Sequence, residues 1–258
     1  MPNTADAPIL ADRSGSVLIL TLNRPEVRNA FDMRMAQALE AAIDQYESDA
    51  ELRIAILTGG PDFFCAGVDL RAAARGERPR TSGRGWFGLN EKPSIKPLIA
   101  AVDGPALAGG FELALACDLI VASRSSIFGL PEVSRGLIAS AGGLLRLPKK
   151  LTATVVAEIA LTGEPIGAQR LFDLGLINRL TEPGAAQAGA MMLAQRIANN
   201  APLSVAATKR VLAMSGQALA PALWTQQEAE FAQVRDSEDY REGLSAFAEK
   251  RDPVFKGK

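Results

Sequence analysis

The chain has 258 residues, with 28 basic and 29 acidic side chains, two cysteines and no histidine. The lack of histidine excludes Ser–His–Asp hydrolysis, Cys–His proteolysis and His-rich zinc sites, which leaves proton transfer to carboxylates, lysines, tyrosines or cysteines. The balanced charge predicts neither nucleic acid nor a membrane as a partner. The sequence has few cysteines, no apolar run long enough to span a membrane and no signal-peptide pattern. These features predict a cytoplasmic globular protein.

Strand and helix patterns alternate over the first half of the chain, which predicts an α/β fold. Asp32 is predicted to cap a helix that continues to about Glu47, because apolar residues recur at helical spacing behind it. The apolar residues of this helix are Met35, Leu39, Ile43 and Tyr46. The predicted strands are Val17–Leu22, Arg53–Thr58, Leu98–Val102, Leu119–Ala122 and Ser126–Gly129.

The segment Ala72–Lys96 interrupts this alternation and is rich in arginine, glycine and proline. Trp86 and Phe87 are its one pair of large apolar residues. We interpret the segment as a surface excursion that forms a lid or a pocket wall, because long loops in compact domains are often functional. A disordered connection is the alternative.

Helical patterns dominate from Ala141 onward. The predicted helices are Leu151–Ala160, Ala168–Leu174, Ala185–Asn199, Leu203–Met214, Ala220–Gln233 and Ser237–Lys250. Pro202 marks a boundary between an α/β body and a helical tail. We therefore predict an α/β core over residues 1–200 and a helical segment over residues 201–258.

The stretch Gly104–Asp118 places glycines between a predicted strand and a helix, with Glu112 near the helix start. Backbone N–H groups at a helix start are fixed hydrogen-bond donors, and glycine lets a ligand approach them closely. A carboxyl group one turn later, in apolar surroundings, is a candidate acid or base with a raised pKa. The alternative is a packing turn whose glutamate favours the helix dipole.

Two further motifs complement this one. The turn at Gly67–Val68 follows a strand in the same way, so that two N–H donors from two turns could hold one developing oxyanion. Glu132 follows Pro131 in apolar surroundings, and two carboxyl groups facing one pocket would separate their pKa values into an acid and a base. Alternatively, Glu132 caps its turn or pairs with Arg135.

Five stretches together resemble the crotonase (enoyl-CoA hydratase/isomerase) superfamily. They are Leu22–Phe31, Phe64–Leu70, Gly104–Leu119, Phe128–Leu137 and Glu242–Phe255. The resemblance implies a spiral of repeated β-β-α units with a helical C-terminal segment that supports homotrimers, often paired into hexamers. It also implies an acyl-CoA thioester as substrate and no metal or redox cofactor, since coenzyme A is part of the substrate.

The resemblance also assigns the catalytic residues. The oxyanion donors would be the N–H groups of Val68 and Gly109. Glu112 would activate the water that attacks Cβ, and Glu132 would deliver a proton to Cα. Ala108 stands where relatives often have glycine, a mild departure that should leave the Gly109 N–H intact.

Further positions are implied for the CoA and acyl groups. The resemblance places Arg28, Ala66, Phe247 and Lys250 against coenzyme A, although Arg28 and Lys250 are equally well explained as solvated surface charges. It places Trp86 and Phe87 in the region that selects the acyl group. By their sequence context, Cys65 and Cys117 are expected to be small buried residues, and Asp118 a structural carboxylate.

The leading functional hypothesis is a 2-enoyl-CoA hydratase. A dehydratase, isomerase or hydrolase acting on a specialised acyl-CoA is a variant of it, because the family uses one oxyanion hole for many reactions. A non-catalytic acyl-CoA binder is the rival class. Retention of Glu112 and Glu132 argues against the binder, which has no use for two partly buried carboxyl groups.

Overall fold

The computed structural model describes residues 7–214, 229, 233 and 236–258. Its strands are β1 (Ile9–Ser14), β2 (Val17–Leu22), β3 (Ile54–Thr58), β4 (Arg80–Thr81), β5 (Gly85–Trp86), β6 (Leu98–Val102), β7 (Pro105–Leu107), β8 (Leu119–Ser123), β9 (Ile127–Gly129), β10 (Ile166–Gly167) and β11 (Arg179–Thr181). Its α-helices are α1 (Met33–Ser48), α2 (Leu70–Ala74), α3 (Gly109–Ala116), α4 (Gly143–Arg146), α5 (Ala153–Thr162), α6 (Ala168–Asp173), α7 (Ala186–Ala198), α8 (Pro202–Met214) and α9 (Glu238–Glu249). Short 3-10 turns cover Pro25–Val27, Pro131–Arg135 and Leu147–Lys149.

A six-stranded sheet with the order β1-β2-β3-β6-β8-β11 lies at the centre. β1 and β2 form an antiparallel hairpin, and the remaining neighbours are parallel. Every residue of β3 and β6 is buried, which explains why these strands are continuous apolar runs. A second sheet has the order β10-β9-β7, and two residues separate the end of β6 from the start of β7. The chain therefore passes from the central sheet into the second sheet just before α3.

Helix α1 shows how a local signal and burial agree. The Asp32 carboxylate accepts a hydrogen bond from the Met35 N–H at 2.8 Å, which caps the helix. The four predicted apolar residues, Met35, Leu39, Ile43 and Tyr46, are all buried. The predicted helix and its core face are therefore confirmed.

The five predicted strands are confirmed to within a residue or two at their ends. The other six strands of the described residues were not predicted. The sequences of β1 and β11, ILADRS and RLT, have little apolar pattern, and β4, β5, β7 and β10 are only two or three residues long. The helices predicted from Leu151 to Met214, and the one at Ser237–Lys250, are confirmed with small shifts at their ends. The predicted helix Ala220–Gln233 lies outside the described residues except at positions 229 and 233.

The Ala72–Lys96 segment is ordered, so the disordered alternative is wrong. The Arg84 guanidinium, only 2% exposed, donates to Glu47 at 2.6 Å and to Asp44 at 2.8 Å on helix α1. Phe87 is 1% exposed and belongs to the core. The description of this segment as a surface excursion is therefore only partly right, because its middle packs into the domain.

The C-terminal residues are fastened to the α/β body. Lys209 on α8 donates to the Asp118 carboxylate at 2.6 Å, and Asp118 also accepts from the Leu98 N–H at 2.8 Å, which confirms its structural role. The Arg53 guanidinium donates to the carbonyl oxygens of Ala198 and Phe255. The division at residue 200 stays a prediction. None of the helices in the described part of the chain has the length and apolar character of a membrane span.

Candidate active site

The first glycine turn presents the Val68 N–H. Phe31 holds the residues on either side of Val68. The Phe31 N–H donates to the Gly67 carbonyl at 2.8 Å, and the Phe31 carbonyl accepts from the Asp69 N–H at 2.9 Å. Gly67 has a φ of +91°, a conformation that favours glycine. Within the described chain the Val68 N–H itself donates no hydrogen bond. It is therefore a fixed donor free for a ligand.

The second turn presents the Gly109 N–H at the start of α3. Ahead of it, Ala108 has a φ of 51° and donates its N–H to the Gly129 carbonyl at 2.9 Å. The first N–H groups of a helix have no partner within the helix. Among the described residues the Gly109 N–H has no acceptor either. The departure at Ala108 therefore leaves this donor intact, as expected.

The two turns meet at their glycines. A Cβ atom added to Gly67 would lie 2.8 Å from the Gly109 nitrogen, and one added to Gly109 would lie 3.2 Å from the Gly67 α-carbon. A β-bridge between Cys65 and Ala106 aligns the two segments, and the Leu107 N–H donates to the Cys65 carbonyl at 3.0 Å. The fold thus brings two free N–H donors from distant sequence positions to neighbouring backbone.

Glu112 lies one turn into α3 and is 2% exposed. Its Oε1 accepts a hydrogen bond from the Gly143 N–H at 2.8 Å. Burial raises the pKa of Glu112 to about 7; the negative charge of Glu132 adds to this rise, and the Gly143 N–H and the Arg146 charge oppose it. A carboxyl group with this pKa can gain or lose a proton near neutral pH.

Glu132 lies in the 3-10 turn Pro131–Arg135 and is partly buried. Its Oε2 is buried and has no hydrogen-bond partner in the described part of the chain. Burial raises the pKa of Glu132, and the charge of Arg135 opposes the rise. No ion pair joins Glu132 to Arg135 within that same part of the chain. The alternative in which Glu132 pairs with Arg135 is therefore not observed.

Trp86 and Phe87 reach the site from the Ala72–Lys96 segment. The Phe87 ring packs against Phe31 with centroids 4.9 Å apart, and its tip lies where a Gly109 side chain would be. Trp86 is partly exposed, with its ring centroid 6.0 Å from that of Phe87. Phe87 therefore lies against Gly109, whereas Trp86 lies next to Phe87 and is partly accessible.

The residues expected to bind CoA are brought together only in part. The Ala66 N–H donates to the Arg28 carbonyl at 3.0 Å, and the exposed Arg28 guanidinium lies 5.7 Å from the centre of the Phe63 ring. Lys250 directly follows α9 and is exposed, and its side chain has no hydrogen bond or ion pair with the described residues. The Phe247 side chain lies outside the described residues.

Sequence analysis did not identify Gly143 and Arg146 as part of the site. The pair Gly142–Gly143 was a usable signal, since adjacent glycines after a turn indicate close backbone contact. The described residues contain no group of three or more cysteine, aspartate or glutamate side chains placed to hold a metal ion.

Comparison with known proteins confirms the resemblance drawn from the motifs. The sequence model of the enoyl-CoA hydratase/isomerase family matches residues 12–258. The chain is 42% identical over 254 residues to a carnitinyl-CoA dehydratase from Salmonella heidelberg, covering 95% of this chain and 97% of the relative.

Solved structures agree with the sequence match. The structure of an enoyl-CoA hydratase from Mycobacterium tuberculosis H37Rv is 48% identical with a TM-score of 0.94, covering 98% of this chain and 100% of that one. A carnitinyl-CoA hydratase from Mycobacterium avium is 42% identical with a TM-score of 0.78, covering 98% and 99%. These matches confirm the crotonase-type α/β fold. The chain therefore belongs to the enoyl-CoA hydratase/isomerase family of the crotonase superfamily and is an enzyme of the enoyl-CoA hydratase type.

Proposed function

We propose that this chain is a hydro-lyase that adds water across, or removes water to form, the 2,3 double bond of an acyl-CoA thioester. The observation that carries the proposal is the setting of Glu112. Burial and the negative charge of Glu132 raise the pKa of this carboxyl group, which lies one helical turn from the Gly109 N–H. Coenzyme A belongs to the substrate, and the reaction needs no further cofactor.

In this proposal the N–H groups of Val68 and Gly109 bind the thioester oxygen. Negative charge develops on that oxygen as the enolate-like transition state forms, and fixed donors stabilise it more than they stabilise the ground state. The same polarisation makes Cβ of an enoyl group electrophilic and the Cα–H of a hydroxyacyl group acidic. One pair of donors therefore serves both directions of the reaction.

In the proposed mechanism the two carboxyl groups carry one proton between them. Burial raises the pKa of Glu112 to about 7 and the negative charge of Glu132 adds to the rise, so Glu112 can hold this proton at the start of dehydration while Glu132 acts as the base. In dehydration, Glu112 gives this proton to the leaving hydroxyl at Cβ and Glu132 accepts the proton from Cα. In hydration the steps reverse: Glu112 accepts a proton from the attacking water and Glu132 protonates Cα.

We propose that Arg28 and Ala66 bind the CoA moiety, with Phe247 and Lys250 completing the site. The Ala66–Arg28 hydrogen bond supports this, because it holds the Arg28 backbone beside the turn that carries Val68, and the Arg28 side chain is exposed. A guanidinium suits a phosphate group. We further propose a homotrimer or hexamer that works in the cytoplasm.

The acyl group is the open part of the assignment, because relatives of similar identity are named for enoyl-CoA and for carnitinyl-CoA. A carnitinyl group ends in a quaternary ammonium, which aromatic faces bind well. The partly exposed Trp86 ring favours this specialised substrate as a second candidate. We expect Trp86→Leu to lower kcat/KM about fivefold for the trimethylammonium-bearing enoyl-CoA and to leave crotonyl-CoA nearly unchanged. Equal effects on the two substrates would contradict a cation-binding role.

The test of the main proposal follows the absorbance of the conjugated thioester, with mass detection of products, over panels of enoyl-CoA and hydroxyacyl-CoA. We expect Glu112→Gln and Glu132→Gln each to lower kcat by about 10²–10⁴-fold, because the amide keeps the shape and removes proton transfer. Glu158→Gln is the matched control, since Glu158 is an exposed carboxylate paired with Arg170. It should retain the wild-type rate.

Two results would change the proposal. If both glutamine variants turn over like the wild type, the two-carboxylate mechanism is wrong. If the wild type binds acyl-CoA thioesters but converts none in either direction, the non-catalytic binder replaces the enzyme.

A further inference from the structure

Asn90 joins two parts of the site that are distant in sequence. Its Nδ2 group donates a buried hydrogen bond to the Ala141 carbonyl oxygen at 2.9 Å. The Arg146 guanidinium in turn donates to the Asn90 main-chain carbonyl. We refer to Asn90, Ala141 and Arg146 together as the Asn90 clamp.

One side of the clamp is the wall of the acyl region. The Asn90 N–H donates to the Trp86 carbonyl at 2.9 Å, which closes the segment 86–90 into a turn. Phe87, within this turn, contacts Gly109 with the tip of its ring. Residues 86–90, which we call the wall segment, therefore contact Gly109 through Phe87 and the Ala141 carbonyl through Asn90.

The other side of the clamp is the turn 141–143, which contacts Glu112. The Gly143 N–H donates to the Glu112 carboxyl group, and a Cβ atom on Gly143 would lie 2.9 Å from Glu112 Cγ. Gly142 has a φ of +101°, and a Cβ atom there would overlap the Arg146 guanidinium. One glycine thus makes room for Glu112 and the other for the guanidinium.

The Asn90 side chain carries an energetic cost that its packing does not explain. Its Oδ1 is buried and has no hydrogen-bond partner in the described residues. Burying a polar atom without a partner is unfavourable, and a leucine of similar size would avoid this cost. The amide is therefore explained by its Nδ2 bond to Ala141, which fixes the turn.

Arg146 adds a charge to this arrangement. The charged groups that act on Glu112 are Glu132, from the turn Pro131–Arg135, and Arg146, from α4. The Arg146 charge lowers the pKa of Glu112 and Glu132 raises it. Burial lowers the pKa of Arg146, and the negative charge of Glu112 opposes this shift. The clamp thus holds a cation in the field of the proton-transferring group.

We propose that Asn90 and Arg146 are positioning residues that lock the turn 141–143 to the wall segment and so fix the orientation and charge of Glu112. Neither residue needs to touch the substrate. The proposal deepens the hydro-lyase assignment and rests on it for its kinetic readout only.

Two measurements test the clamp without using activity. Infrared titration follows the protonated carboxyl band of Glu112, identified by its loss in Glu112→Gln. Hydrogen exchange follows the amides of residues 139–147. We expect Arg146→Met to raise the titration midpoint, because a nearby positive charge is lost, and Arg146→Lys to restore most of it. We expect Asn90→Leu to accelerate exchange of the segment about tenfold or more.

Kinetics and a matched control complete the design. In the active enzyme, Asn90→Leu should lower kcat about tenfold and leave KM within about twofold, since orientation rather than binding is lost. Asn178→Leu is the control, because the Asn178 side chain also holds a main-chain group, the Ile120 N–H at 2.8 Å, but on the central sheet. It should change neither the Glu112 midpoint nor the exchange of residues 139–147.

An unchanged midpoint in Arg146→Met or unchanged exchange in Asn90→Leu overturns the proposal for that residue. If Arg146→Met does not fold, the Arg146→Lys midpoint decides: it should stay close to the wild-type value, and a shift as large as full charge loss would contradict the assigned role of the charge. If the wild type converts no acyl-CoA but the midpoint and exchange respond as expected, the clamp stands and only the hydro-lyase assignment fails.

Discussion

Gly67 and Gly109 face each other so closely that a methyl group on Gly67 would lie 2.8 Å from the Gly109 nitrogen. That nitrogen is one of the two proposed oxyanion donors. The contact therefore sets the spacing between the two turns, and any atom added between them must push the Gly109 N–H away from its position.

Gly67→Ala tests this spacing. We expect it to lower kcat/KM by about 10²–10³-fold, because one oxyanion donor is displaced. It should also lower the free energy of unfolding, since alanine is strained at a φ of +91°. The matched control is Gly60→Ala, where φ is +87° and nothing lies within 4 Å of the added carbon. Steady-state kinetics and urea unfolding should show similar backbone strain in the two variants but a loss of activity only in Gly67→Ala. If the two variants have the same activity, the proposed role of the Gly109 N–H as an oxyanion donor is wrong.

Ala108→Gly is expected to stabilise the protein. Ala108 has a φ of 51° and a ψ of −128°, a conformation that is costly for any residue with a Cβ atom. Relief of this strain, less the added flexibility of glycine in the unfolded chain, should raise the free energy of unfolding by about 1 kcal/mol. Ala157→Gly, at an exposed position in α5, should lower it by a similar amount. Urea denaturation measures both, and a loss of stability in Ala108→Gly would contradict the strain.

The pH dependence follows from the shared proton. Burial and then the charge of Glu132 raise the pKa of Glu112 to about 7, so the singly protonated pair loses its proton as the pH rises through this value. We expect kcat/KM to fall on the alkaline side of about pH 7. In Glu132→Gln, loss of the negative charge should lower the infrared titration midpoint of Glu112. A midpoint that moves upward would contradict the assigned coupling.

The cysteines are expected to be unreactive in the native protein. Burial raises the pKa of Cys65 to about 12, and burial also raises the pKa of Cys117. Because the thiolate is the reactive form, a disulfide-exchange reagent should modify neither residue until denaturant is added, and both afterwards. Rapid labelling of the folded enzyme would show that one of them is accessible.

How much the sequence predicts depends on how local the signal is. The cap at Asp32 and the buried strand Leu98–Val102 were predictable because their pattern lies within a few residues. The two carboxyl groups and two glycine turns were recognisable as motifs. Their meeting in space was not a local property, because it depends on contacts such as the one between Gly67 and Gly109.

The supporting contacts around Glu112 were harder to predict. Asn90 is one polar residue in a segment without periodicity, and nothing in the sequence links it to Ala141. Arg146 resembles any cation on a short helix until its contact with the Asn90 carbonyl is known. Burial of Phe87 was missed for a related reason, since a glycine- and arginine-rich segment indicates solvent exposure on average.

Helix α3 is buried at all eight of its positions, and it carries both the Gly109 N–H and Glu112. Glu112 follows Gly109 by three positions, so the backbone of the helix rises by about 4.5 Å between them. In the proposed mechanism the helix thus fixes the spacing between the donor to the thioester oxygen and the residue that acts on the hydroxyl at Cβ. Engineering for longer or bulkier acyl groups should therefore change residues 86–90, while attempts to move the reaction to a carbon farther along the chain should fail on this scaffold.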